Sequence, residues 1–425
     1  MLQPIQDPTK RFFDQVVVES SYIVFKEAGK VIAKNGKTGQ IEFSDTDAST
    51  VIQSAIDAST GGVVYIKEGT YYITNTISLA RNVRLVGSGE TTVLKLGDGV
   101  NKDILLIPRY AINSGIERLR LDGNKANNTR GSCIKIFGFN WRNVIKHVTI
   151  RDVPEFGILA TSETDEYTYE PIIFDVDIKG SESDGISLGF VADLWGANIY
   201  SEGNGGNGAS LWDVAGTIYH LHVYNNYGLT GVLLSEYSND IRLVQPHLDN
   251  NHGHGMVVKG KRNTIIEPFA FNNSRSEAGA YDGISLQGAE QTIIIGGIFT
   301  DFQQVKTQAY GIDEESGDYN LIIGCILTGN LIGGLRLTGA NSRAYHNIGY
   351  RNANSGTATI PPNSTYVDVE HGLDVTPDIN KIRIVPKDDL AGRSFWVSDV
   401  TRTTFRINIS TPDTVSHSFG WSYEE

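Results

Sequence analysis

The chain is 425 residues long, with 20% charged residues, a formal net charge of −13, 46 glycines, 12 prolines and two cysteines. That length supports a large core, and the acidic balance argues against a nucleic-acid backbone as partner. Two lone thiols, Cys133 and Cys325, make neither a disulfide framework nor a metal site, and no apolar run reaches the length of a membrane span, so no membrane insertion is expected.

The opening stretch, MLQPIQDPTKRFFDQ, lacks the apolar core of a secretory leader. Short strands with turns at Gly29, Gly36 and Gly39 follow, giving an N-terminal short-strand segment over 1–45. The stretch SDTDASTVIQSAIDAS reads as a helix. Asp45 or Asp47 can cap it, and Val51, Ile52, Ala55 and Ile56 fall on one face. Such a helix is suited to covering the open end of a stack of strands.

From residue 157 the chain repeats. Gly157, Gly185, Gly208, Gly231, Gly255, Gly283, Gly311 and Gly334 each precede a short triplet, at spacings of 28, 23, 23, 24, 28, 28 and 23. The two DGISL copies, at 184 and 282, are four repeats apart. Each repeat carries a second strand (HVTI, DVDI, GANI, HLHV, QPHL, GGIF, GCIL) and almost no helical pattern, which reads as a β-solenoid. Asn225-Asn226, Asn250-Asn251 and Asn272-Asn273 recur after that strand, as expected of a side-chain amide ladder.

The segment DASTVIQSAIDASTGGVVYIKEGTYYITNTISLARNVRLVGSG, with Gln53 and Ala55 in the helix, Gly61-Gly62 and the later LVGSG, resembles the entry of the pectate-lyase-like right-handed β-helix proteins. The resemblance covers roughly residues 46–352. The lead-in FGAKGDG…DDT common in that superfamily is absent here. Polysaccharide lyases, glycoside hydrolases and viral tailspikes belong to it. The resemblance therefore implies an all-β chain: a right-handed parallel β-helix over 46–355 with an N-terminal capping helix. It also implies a homotrimer, clamped near its threefold axis by the C-terminal domain.

Chemistry must be sought on the outer faces, because no compact catalytic, phosphate-binding or metal motif is present and no cofactor is expected. In the second strand Val176, Ile178, Leu221, Val223 and Leu248 point inward. The outward pairs are His147/Thr149, Asp175/Asp177, Gly196/Asn198, His220/His222, Gln245/His247 and Glu267/Phe269, followed by Arg151, Lys179, Tyr200, Tyr224, Asp249 and Phe271. Asp175 and Asp177, alternate residues of one strand, would lie about 6.6 Å apart, near the carboxylate separation of hydrolases that position a water. Glu267 is a further candidate acid on this stripe. Tyr200 and Tyr224 offer flat surfaces for sugar rings. Trp195 and Trp212 are either platforms or turn plugs. His220, His222 and His247 suit sugar binding, or alternatively a zinc-like site.

The eighth repeat breaks the pattern. Its triplet is IDE, so Glu314 takes the position that holds Leu, Ile, Val or Ala elsewhere. Either Glu314 points inward and is protonated or paired, or the strand bulges and Asp313, Glu314 and Glu315 crowd the surface. Asp313 and Glu315 are then catalytic candidates, with Arg336 one coil on to lower a pKa. Long insertions before residues 283 and 311 would wall a groove.

The period ends near residue 352. ANSGTATIPPNST, 353–365, reads as a linker by composition, and alternating strands from YVDVEHGL to FGWSYEE give a small C-terminal β-domain over 356–425. The expected function is polysaccharide cleavage by a tailspike-like glycoside hydrolase on a virion or outside the cell. A lyase, or a non-catalytic adhesin or tail fibre, stands as the alternative.

Overall fold

The computed structural model describes residues 20–424; the opening stretch read as lacking a leader lies outside them. The chain forms two compact units that meet in sequence at Gly228 and Leu229. Most of its strands pair in parallel as the coils of a β-solenoid, about 11 turns in all. Among the described residues no helix is long and apolar enough to cross a membrane.

In the first unit, β1 (Tyr22–Glu27), β2 (Lys30–Asn35) and β3 (Ile41–Asp45) form an antiparallel meander. Ala28 and Gly29, both at positive φ, make the tight turn between β1 and β2. β1 then pairs in parallel with β4 (Gly62–Ile66), so the meander joins the first coil. The helix α1 (Ala48–Ala58) starts at Asp47, whose carboxylate accepts the Ser49 and Thr50 amides. Val51, Ile52, Ala55 and Ile56 are buried, as their spacing requires. Gln53 accepts the Ser78 amide at 2.7 Å and donates to the Ser78 carbonyl at 3.0 Å, tying α1 to an early strand.

Later coils stack in register, for example Ile172–Lys179 on Val144–Arg151. The repeating glycines exist for close approach, not for turns. A Cβ on Gly157 would stand 2.5 Å from the Gly185 carbonyl oxygen, well inside contact. The second unit continues the rule: a Cβ on Gly283 would stand 2.5 Å from the Gly311 carbonyl. Amide ladders form in both units. Asn204 donates to Asn226 in the first. In the second, Asn251 donates to Asn273, Asn273 to Gln308 and Gln308 to Asn330. Cys133 and Cys325 are buried and unpaired.

The stretch read as a linker is largely a strand. Residues Ala353–Ile360 pair antiparallel along their whole length with His417–Glu424, which also pairs with Arg383–Pro386. This strand is an edge of its sheet, held on one side by His417–Glu424. Gly356 is required beneath the Trp421 ring, where a Cβ would come within 2.9 Å. A second three-stranded sheet, Tyr366–Glu370, Thr404–Ile409 and Phe395–Ser398, packs over it through Ile360, Phe405, Ile407, Phe419 and Trp421.

Candidate functional site

The polar stripe of the first unit has a conformational cause. Arg118, His147, Asp175, Asn198 and His220 all sit near φ +50°. The ladder that joins Lys146 to Phe174 resumes at Val148 and Val176, passing over His147 and Asp175. Each coil turns a left-handed corner there, and Asn, Asp and His tolerate that corner better than most residues. Asp175 is therefore not an extended-strand residue, and the strand spacing that suggested 6.6 Å to Asp177 does not apply. Thr149, expected outside, is buried and donates to Glu90.

The two aspartates nevertheless line one open cleft, with Glu90, Arg118, His147, Thr149 and Tyr200. His147 Nδ1 lies 2.6 Å from Asp175, and Arg151 pairs with Asp177. Tyr200 stands edge-on to His220 at 5.6 Å and to His222 at 6.0 Å. His222 stacks on Tyr224 at 4.4 Å. Trp195 stacks on Phe174 at 6.0 Å with much of its ring exposed, and Trp212 is exposed.

In the second unit, His247 packs edge-on to Phe269 at 5.6 Å, and Glu267 is another left-handed corner residue, bonded to Gln245. Asp249, read as outward, is buried. The more enclosed cluster lies on the triplet strands. Ser285, Asp313 and Arg336 are consecutive rungs of one parallel ladder. Opposite Leu286 stands Glu314, but opposite Gln287 stands Ser316, so Glu315 is the extra residue of a bulge.

The first outcome expected of the acidic break holds, and the second only in part: the strand bulges, but Glu315 alone reaches the surface while Asp313 and Glu314 are buried. Glu314 points inward, fully buried, and its carboxylate accepts from the Thr338 amide (2.7 Å), the Gly339 amide (2.6 Å), Asn320 (2.7 Å) and Ser342. The bulge meanwhile turns Glu315 to the surface, where it accepts from Ser285 at 2.8 Å and Gln287 at 3.2 Å. Arg336 grips both oxygens of Asp313, at 2.6 and 2.5 Å. Its effect is smaller than anticipated. Burial pushes the Asp313 carboxyl up to about 6, against the pull of Arg336 and with the help of the Asp282 and Glu315 charges.

Two residues of this cluster escaped the sequence reading: His254 and Asp282, each immediately before a repeat glycine. Asp282 opens the second DGISL copy, so that motif was the available signal. The carboxylate of Asp282 accepts the Tyr310 amide at 3.0 Å. Tyr281 packs edge-on to His254 at 5.0 Å. His254 Nδ1 accepts the Asp282 backbone N–H at 3.0 Å, which puts the ring proton on Nε2. Ligand atoms of His254, Asp282 and Glu315 fall within 4.8 Å of one another, the spacing a metal needs. With Nδ1 engaged by a backbone N–H and Nε2 protonated, His254 has no lone pair to give a metal. The arrangement suits proton transfer: a carboxyl that titrates near pH 6, a second carboxylate on the bulge and a neutral imidazole N–H donor.

Residues 39–233 match the family model described as Rhamnogalacturonase A/epimerase, pectate lyase-like. Mannuronan C5-epimerase AlgE1 of Azotobacter vinelandii is 26% identical over 275 residues, 58% of this chain but only 17% of that protein's length. The A-module of the A. vinelandii mannuronan C-5 epimerase AlgE4 superposes with a TM-score of 0.57 at 23% identity, covering 70% of this chain and 96% of that one. The enzymatically active domain of bacteriophage CBA120 tailspike protein 2 superposes with a TM-score of 0.62 at 11% identity, covering 95% and 75%.

Proposed function

From the pectate-lyase-like right-handed β-helix fold of this chain, we propose a polysaccharide-cleaving glycoside hydrolase whose acid is Asp313 and whose second carboxylate is Glu315. The observation that carries the reading is Asp313 itself. A carboxyl titrating at about 6 is half protonated at pH 6 and keeps about a tenth of its acid form at pH 7, while Glu315 sits two residues along the same strand on a bulge that aims it outward. Protonated Asp313 gives its proton to the glycosidic oxygen as the bond to the anomeric carbon breaks. Glu315 stabilises or attacks that carbon, or activates the water that does. Burial first, and the Asp282 charge second, favour the protonated form of Asp313 against the pull of Arg336.

A second reading places uronate chemistry, lyase or epimerase, in the first-unit cleft. Arg118 there can neutralise a sugar carboxylate beside His147 and Tyr200, and the epimerase relatives are named for mannuronan. Incubation with neutral and acidic polysaccharides separates the cases. Hydrolysis yields reducing ends without the absorbance of unsaturated products, and Asp313→Asn or Glu315→Gln abolishes it. Unsaturated products, or changed uronate composition without cleavage, establish the second reading. Binding without any product establishes an adhesin.

We further propose that the chain works as a homotrimer on a virion tail or outside the cell. The likeness to phage tailspike structures supports that location. The trimer is supported by two apolar columns of the second unit, Ile295, half-buried Ile323 and Tyr345, and Ile298, Ile326 and Ile348, all exposed except Ile323.

A further inference from the structure

We infer that the first unit carries a separate glycan-binding surface, an aromatic track for a neutral polysaccharide built from Tyr110, Phe139, Tyr169, Tyr167 and Phe190. The rings follow one another without a gap, at centroid distances of 5.6, 5.9, 6.0 and 5.9 Å. They come from four consecutive coils, as backbone bonds from Tyr110 to Phe139 and from Arg142 to Tyr169 show. The line of rings therefore runs along the stacking direction, over three coil spacings or about 14 Å. Tyr110 is 55% exposed and Tyr169 38%. Flat aromatic faces receive the C–H faces of sugar rings and leave the hydroxyls free.

The charges beside the track select the ligand. Arg109 lies 4.9 Å over the Tyr110 ring and is paired with Glu166. Arg142 lies 4.8 Å over Trp141 and is paired with Glu170. The Tyr167 hydroxyl donates to Asp213. Each arginine is thus already neutralised by a glutamate, and the remaining charge is acidic. A polyuronate would meet no uncompensated positive charge here, whereas an uncharged chain meets only rings and hydrogen-bonding groups.

The inference rests on the polysaccharide reading for its ligand class, but binding is measured apart from cleavage. Affinity electrophoresis through gels containing a neutral β-glucan, a galactomannan or alginate is run on the full chain carrying Asp313→Asn, with and without Tyr110→Ala plus Tyr169→Ala. A neutral polymer is expected to retard the parent, and the double alanine variant is expected to bind it at least tenfold more weakly. Tyr110→Phe plus Tyr169→Phe, which keeps both faces, is expected to bind as the parent does. Equal retardation of the alanine variant, retardation by alginate alone, or retardation by no neutral polymer overturns the track. So does a change of oligomeric state in the alanine variant, which would assign the rings to a protein contact. Full cleavage by Asp313→Asn would sink the hydrolase site and leave this inference standing.

Discussion

At Glu314 a carboxylate replaces the aliphatic residue of every comparable coil, and the surroundings were built to receive it. Two backbone amides, an amide side chain and a hydroxyl converge on its oxygens. Replacing it by leucine restores the repeat pattern yet orphans those donors, at about 1–3 kcal/mol for each buried one. Glu314→Leu is therefore expected to lower the melting temperature by several degrees or more in a thermal scan; a gain in stability would show that the network contributes little. The adjacent Asp313 gives a pH signature. Its folded pKa of about 6 exceeds the ordinary aspartate value of 3.8, so the folded state holds the proton more tightly than the unfolded chain. Its contribution to stability is complete below pH 4 and is lost as pH rises to about 6. Asparagine mimics the protonated form at every pH. The melting-temperature difference, wild type minus Asp313→Asn, is expected to fall between pH 4 and 6 and then level off. Hydrolysis, which needs the acid form, is expected to decline above pH 6 in the wild type. A flat difference and a flat rate across that range would remove Asp313 from the role of acid.

At the scale of the coil, the sequence revealed what repeats and concealed what bends. The glycine period was legible because Gly157, Gly231, Gly255, Gly283 and Gly311 each meet the carbonyl of the next repeat glycine at a distance that no Cβ tolerates. Gly283→Ala would drive a methyl group to 2.5 Å from the Gly311 oxygen. It is expected to cost more than the roughly 1 kcal/mol typical of a point change, read as an earlier urea midpoint. Asn273, a middle rung, donates to Gln308 and to the Leu248 carbonyl and accepts from Asn251. Asn273→Ala is expected to show the same shift, with hydrogen exchange accelerated in the coils on either side. An unchanged midpoint in both variants would mean that the columns are dispensable. The left-handed corners were not legible, because a polar residue at a bend and a polar residue on a strand face look alike in a row of letters. That is why His147, Asp175, His220 and Glu267 read as outward residues of extended strands. The strand Ala353–Ile360 was missed for a related reason: its small residues carry no pattern, and its pairing partner lies some sixty residues away. His254 and Asp282 were overlooked because attention went to the triplet after each glycine, whereas their column lies just before it.

For the whole molecule, the outer surface of the second unit poses the question of partners. Ile266, Ile295, Ile323 and Tyr345 stand in one column, and Phe269, Ile298, Ile326 and Ile348 in the neighbouring one, each residue paired in register with the next. Ile295, Ile298, Ile326, Tyr345 and Ile348 are all exposed. Scattered exposed isoleucines need no explanation, but two in-register files of them, one on either side of the corner at Glu267, Gly296, Gly324 and His346, are apolar surface of the kind that marks an interface. A chain with a net charge of −13 is well solvated overall, so keeping such a patch without a partner would only invite aggregation. A closed symmetric assembly buries the same patch on every copy, which an open chain of contacts does not. Light scattering on the intact chain is therefore expected to give three times the monomer mass at micromolar concentration. Ile298→Lys combined with Ile326→Lys puts like charges on adjacent rungs. That variant is expected to shift the mass towards the monomer and lower the melting temperature. Its residual cleavage of short oligosaccharides is expected to persist, because the Asp313 cluster lies within one chain. A wild-type monomer at that concentration would defeat the trimer, and a trimer indifferent to both lysines would move its interface to another face.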